Sequence, residues 1–164
     1  MKFAIITVSD SRTKANDKSG QLIKAKFLAA EAECLDYVIV KDDLVKIQAA
    51  YLQAELTEPD LIILNGGTGI AKRDVTITAI TPLLTTQIPG FGEAFRQLSF
   101  TEVGTRGLAS RALCGFNYWN QLTYCVPGSV NAVTLALEKL ILPDYQHLLF
   151  ERSEARKEMH HHVN

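Results

Sequence analysis

An α/β domain with a mainly parallel sheet is the fold this sequence predicts, and three observations predict it. Strand-like and helix-like segments alternate through the first half of the chain. Leu61-Ile62-Ile63-Leu64 is short and wholly apolar, as in a strand covered on both faces. A loop with three glycines among five residues, Asn65-Gly66-Gly67-Thr68-Gly69, follows that strand directly.

Residues 3–8 form the first expected strand, rich in β-branched side chains and stopped at Ser9-Asp10. The stretch is too short for a secretory signal and lacks a small-residue cleavage site. A polar turn leads to a helix from about Ser19, where Ile23, Phe27, Ala30 and Cys34 recur at helical spacing. Residues 35–40 follow as a strand ending at Lys41-Asp42-Asp43. Leu44, Ile47, Tyr51 and Ala54 then mark an amphipathic helix that stops before Pro59. Beyond the glycine loop, Thr76 is the expected N-cap of a helix running to about Leu84. Pro89-Gly90 breaks the chain ahead of a helix over 91–98, and another is expected near 105–111. Strands around 113–118 and 122–126 come next. After Pro127-Gly128, Ser129 caps a helix whose inner face is Val133, Ala136, Leu137 and Leu140. A short helix from about Asp144 and a polar tail close the chain. One domain over residues 1–150 with a tail over 151–164 suits a length of 164 residues.

Hydrophobic residues at 47% and charged residues at 21% are those of a soluble globular protein, well away from disorder. Seventeen Lys and Arg against 18 Asp and Glu give a net charge of −1, which counts against a duplex DNA binder. No apolar run approaches the ~20 residues of a membrane-spanning helix. Cys34, Cys114 and Cys125 are odd in number and contain no Cys-x-x-Cys pair, so neither a disulfide framework nor a zinc site is indicated. Each reads as a small buried apolar residue, and a cytoplasmic setting is expected.

In open α/β sheets ligands bind beyond the carboxyl ends of the strands. Ser9-Asp10 follow the first strand, Asp42-Asp43 the second, and the glycine loop with Asp74 the third. Glycines there let backbone N–H groups converge on an anion such as phosphate. A Walker A loop would need Gly at 71 and Ser or Thr at 73, where Ala71 and Arg73 stand. A dinucleotide fingerprint would need a small residue at 72, where Lys72 stands. Asp42 and Asp74 are the carboxylates suited to Mg²⁺, which takes one or two carboxylates with phosphate oxygens and water. Asp43 is the weaker candidate and a helix cap. Lys72, Arg73, Arg12, Lys14 and Lys18 are available to neutralise a multiply charged ligand. Ser9, Ser110 and Ser129 have no His in a triad motif. Phe116, Tyr118 and Trp119 are expected on or beside a strand, and His160-His161-His162 belongs to the tail.

At these residues the chain resembles a known family. Val8-Ser9-Asp10-Ser11-Arg12-Thr13, Asp17-Lys18-Ser19-Gly20, Asp42-Asp43, Gly66-Gly67-Thr68-Gly69 and Arg73-Asp74-Val75-Thr76 are similar, in order, to motifs of the molybdenum-cofactor biosynthesis MoaB/Mog family. Pro89-Gly90-Phe91-Gly92-Glu93, Leu108-Ala109-Ser110-Arg111-Ala112 and Pro127-Gly128-Ser129 continue the likeness, which covers about residues 3–150 and is nearest the single-domain MoaB branch. It implies a three-layer α/β/α molybdopterin-binding fold and a homotrimer or homohexamer. It also implies Mg²⁺- and ATP-dependent adenylylation of molybdopterin, with pyrophosphate released. A non-catalytic molybdopterin-binding or scaffold role is the alternative. By resemblance, Asp42 and Asp74 are catalytic and metal-binding. Ser9, Asp10, Gly66, Gly67, Thr68, Gly69, Arg73, Ser110, Pro127, Gly128 and Ser129 are the substrate-binding set. Lys41, Asn65 and Val130 depart from the family pattern without removing a carboxylate.

Overall fold

The computed structural model describes residues 1–153. In chain order its regular elements are β1 (Lys2–Val8), α1 (Lys18–Ala29), β2 (Glu33–Val40), α2 (Leu44–Glu55), β3 (Leu61–Asn65) and α3 (Thr76–Ile80). They continue as β4 (Leu84–Gln87), α4 (Pro89–Val103), β5 (Leu113–Asn117), β6 (Leu122–Val126), α5 (Val130–Ala136) and α6 (Leu142–Arg152). The six strands make one sheet in the order β2-β1-β3-β6-β5-β4. Strands β1, β2, β3 and β6 run parallel, while β5 is antiparallel to both β6 and β4.

Period-two alternation in the central strands separates two cores. Phe3 and Ile5 of β1, Leu61 and Ile63 of β3, and Leu122 and Tyr124 of β6 face a layer that includes Phe27 of α1, Phe95 of α4, Val133 of α5 and Tyr145 of α6. Ala4, Ile6, Ile62, Leu64 and Cys125 face the opposite way, against Ile47, Tyr51 and Ala54 of α2 and Ala79 and Ile80 of α3. The chain is therefore a three-layer α/β/α domain, as the alternation and the family likeness anticipate.

Several local expectations are corrected. Helix α1 ends at Ala29, so Ala30 is exposed and Cys34 leaves the helical stripe to join β2. Thr76 is not a cap: the Val75 backbone opens α3, and Thr76 Oγ1 donates to the Gly66 carbonyl at 2.8 Å. The helix expected to reach Leu84 stops at Ile80, because Pro82, which has no N–H to give, forms a 3₁₀ turn over Thr81–Leu83. The β-branched pair Thr85-Thr86 then joins β4 at the sheet edge. Helix α4 begins at Pro89 itself and runs on to Val103. The helix expected near 105–111 is a 3₁₀ turn over Gly104–Ala109, which leaves Ser110 extended. Phe116 is buried in β5, but Tyr118 and Trp119 stand out from the β5–β6 turn, 75% and 62% exposed. His160, His161 and His162 lie outside the described residues.

Candidate functional site

Parallel strands end at a common edge, and four of them deliver loops to it here. The backbone N–H of Ser9 continues the β1–β2 ladder to Val40 O at 2.8 Å, and that of Gly66 continues β3 to Val126 O at 2.9 Å. Between the loops lies a cleft of about 370 Å³, walled by Ser9, Asp10, Arg12, Asp42, Gly66, Gly67, Arg73, Asp74 and Gly128 among others. Gly66 and Gly67 have φ of 101° and 65°, a left-handed turn that side chains resist. Close approach forbids a Cβ as well: one on Gly67 would stand 2.9 Å from Asp42 Oδ1. A Cβ on Gly69 would meet Asp74 Oδ2 at 2.7 Å, so that carboxylate would have to shift to admit it.

Asp42 is the most unusual side chain of this cleft. Its Oδ1 is buried and has no hydrogen-bond partner within the protein. Burial, then the negative charges of Asp10 and Asp74, push its pKa up, and Arg73 partly offsets them. Asp10, Asp74 and Arg73 are thus each within electrostatic reach of Asp42. Asp10 also accepts the Asp42 backbone N–H at 3.2 Å, tying the loops after β1 and β2 together. Asp43 is spent structurally, as the N-cap of α2 accepting from the Lys46 N–H at 2.9 Å. Among the described residues no group of three or more His, Cys, Asp or Glu is arranged to hold a metal alone. A cation with one or two carboxylates, completed by phosphate oxygens and water, fits the orphaned Asp42 oxygen better than an all-protein cage.

The basic residues divide by function. Arg12 pairs with the fully buried Asp17 at 3.2 Å, contacts Ser19 Oγ, and donates from Nη2 to the Gly128 carbonyl at 2.8 Å. Its guanidinium is thus a clamp between the first loop and the β6–α5 turn rather than a ligand-seeking charge. Burial alone would raise the Asp17 pKa, but hydrogen bonds from Thr7, Tyr37 and the Gly20 N–H, with the Arg12 charge, bring it below its ordinary value. Arg73 is the other cation in the cleft wall. Lys14 rests over the Tyr37 ring. Lys14, Lys18 and Lys72 belong to neither this cleft nor its neighbour.

That neighbour, about 570 Å³, is lined by Thr68, Gly69, Asp74, Ser110, Pro127 and Ser129, with Phe95, Ser99, Arg106 and Asn131. The site residues named from sequence are therefore gathered on one rim but divided between two adjoining clefts, with Asp74 in both walls. Ser129 also caps α5, accepting from the Ala132 N–H at 3.2 Å. Phe95, Ser99, Arg106 and Asn131 escaped the sequence reading. They come from α4, the Gly104–Ala109 turn and α5, at positions that carry no motif in the sequence, while the start of β5 reaches the same rim because that strand runs antiparallel. Asn65, one of the departures, donates to Thr7 Oγ1 at 2.8 Å and stays beneath the cradle.

Comparison with known proteins bears directly on this rim. Residues 4–147 match the family described as a probable molybdopterin binding domain. Molybdenum cofactor biosynthesis protein B of Staphylococcus aureus strain Mu50 is 50% identical over 154 residues, covering 92% of this chain and 91% of that protein. Among solved structures, a molybdenum cofactor biosynthesis protein B superposes with a TM-score of 0.87 at 45% identity, covering 92% of this chain and 94% of the other. The tungsten cofactor synthesizing protein MoaB from Pyrococcus furiosus gives 0.85 at 39% identity, over 93% and 97%. A match spanning nearly all of the sheet and both clefts, with identity this high, shows that the chain belongs to the MoaB/Mog family of molybdenum cofactor biosynthesis proteins.

Proposed function

We propose that the chain is a molybdopterin adenylyltransferase. In this reaction a terminal phosphate oxygen of molybdopterin attacks the α-phosphorus of ATP. A new P–O bond forms, the bond from the α-phosphorus to the bridging oxygen breaks, and pyrophosphate leaves with the electron pair. One observation carries the reading: a buried, unpartnered carboxylate oxygen on Asp42 faces the influence of Asp10 and Asp74 beside a glycine cradle.

The residues suit the chemistry required. The attacking phosphate, with a second pKa of roughly 6, is anionic near neutral pH, so no strong general base is needed. Two polyanions must instead be brought together and the departing charge received, which is work for positioning and electrostatics. Asp42 and Asp74 are the residues to hold Mg²⁺, which when bound supplies charge neutralisation to phosphate oxygens. Arg73 adds a fixed positive charge. The N–H groups of Gly67, Thr68 and Gly69, beyond the Gly66 N–H that is spent on Val126 O, orient phosphate oxygens, and Arg12 keeps the opposing turn at Gly128 in place. The two adjoining clefts give two substrates a shared border at Asp74. Assembly as a homotrimer or homohexamer belongs to the same reading, to be measured by sedimentation.

The test is pyrophosphate release from ATP with molybdopterin present. Release that requires both substrates and Mg²⁺ supports the transferase. Molybdopterin binding with no release would instead make the chain a pterin-binding or scaffold member of the family.

A further inference from the structure

The loop between β3 and α3 carries Asp74 without regular secondary structure of its own. Part of it closes on itself: the Asp74 N–H donates to Ala71 O at 2.9 Å, and the Ala71 N–H donates to Asp74 Oδ2 at 3.0 Å. This small ring is held from outside by one residue. Arg111 Nε donates to Gly69 O at 2.9 Å, Arg111 Nη2 donates to Asp74 O at 2.6 Å, and the Arg111 backbone N–H donates to Thr68 O at 3.0 Å. Arg111 itself lines neither cleft.

We propose that Arg111 is a positioning residue for the Asp42–Asp74 cation site, fixing where the Asp74 carboxylate stands relative to Asp42. It grips both ends of the loop segment that carries Asp74. The inference rests on the adenylyltransferase reading for the identity of the ligands, but its geometry does not. Nε and Nη2 lie on one edge of a rigid planar fork, so the Gly69 carbonyl before the ring and the Asp74 carbonyl at its end are held at a set separation. An ammonium group, with rotatable donors on a flexible stem, sets no such separation. With Oδ2 committed to the Ala71 N–H, Oδ1 is the Asp74 oxygen left for a cation, and its place follows from the backbone that Arg111 anchors. Arg111 descends to the rim from the start of β5, so the antiparallel strand has a use at the site.

The experiment is calorimetric titration of the full chain with ATP, with and without Mg²⁺, for wild type, Arg111→Lys, Arg111→Met and Asp74→Asn. Arg111→Lys keeps the charge and removes the fork. The expected result is loss of about tenfold of the Mg²⁺-dependent gain in ATP affinity in both Arg111 variants, with affinity in the absence of Mg²⁺ unchanged. Thermal melts run alongside separate this from simple loss of stability, which would lower the midpoint and leave the Mg²⁺ gain intact. If Arg111→Met does not fold, Arg111→Lys carries the test alone. Retention of the full gain by Arg111→Lys, with its loss in Asp74→Asn, overturns the positioning role. Retention in all three variants overturns the cation site itself.

Discussion

Asp42 is a residue the fold tolerates rather than needs. Its raised pKa means that the folded chain holds a proton more tightly than the unfolded one. The protonated form's advantage is complete below the ordinary value of 3.8 and is lost as pH rises through the higher folded value. At neutral pH the charged carboxylate therefore destabilises the protein. Asp42→Asn should melt above wild type at pH 7, with the gap closing as the pH falls toward 3.8, in a series of melts across that range. The same variant should slow pyrophosphate release by about 10²-fold or more, the scale of losing one electrostatic contact in a reacting site. Gly67→Ala should be as damaging for a different reason: its Cβ would press on Asp42 Oδ1 and on Thr76, at a φ of 65° that alanine resists. Both carboxylates could be singled out in the sequence because each follows a strand, Asp42 soon after β2 and Asp74 in the loop after β3. The orphaned oxygen was not, since burial of a single atom depends on the neighbours folding brings.

Helix starts show what local sequence can and cannot say. Asp43 and Ser129 were legible as caps, and each accepts the N–H three residues on. Ser129→Ala should cost about 1 kcal/mol in urea unfolding. Thr76 has the same residue chemistry but is claimed by the Gly66 carbonyl, a competitor 10 positions away that no local rule reveals. Asp17 is the richest start of all. As the N-cap of α1 it accepts from the Gly20 N–H at 3.0 Å and the Tyr37 hydroxyl at 2.6 Å, besides Arg12. Asp17→Ala should therefore cost clearly more than a cap alone, and Asp17→Asn, which keeps a capping side chain, should recover part of the loss. Equilibrium urea melts of the two variants read the difference directly. Strand β4 stayed illegible because it is four residues long and has meaning only as a partner for β5.

Across the whole molecule, the alternation of strands and helices gave the layers and the binding edge, because parallel strands leave little freedom in where their loops arrive. It did not give the reversal of β5, which runs against both of its neighbours and brings Ser110 and Arg111 to the rim. No helix among the described residues is long and apolar enough to cross a membrane. A ligand that binds only the folded chain stabilises it, by about 2.7 kcal/mol at a hundred times its Kd. ATP with Mg²⁺ should therefore raise the melting temperature of wild type by several degrees, and this shift should shrink in Asp74→Asn. Thermal scans with ATP, Mg²⁺ and both together make the comparison.

Asp74 stands in the wall of each cleft. If two guests lodge side by side, whatever the first does to that carboxylate, in charge or in angle, the second meets on arrival. Thermodynamic reciprocity makes the influence equal in both directions. Any such coupling would run through a single shared side chain, with no movement of the sheet required.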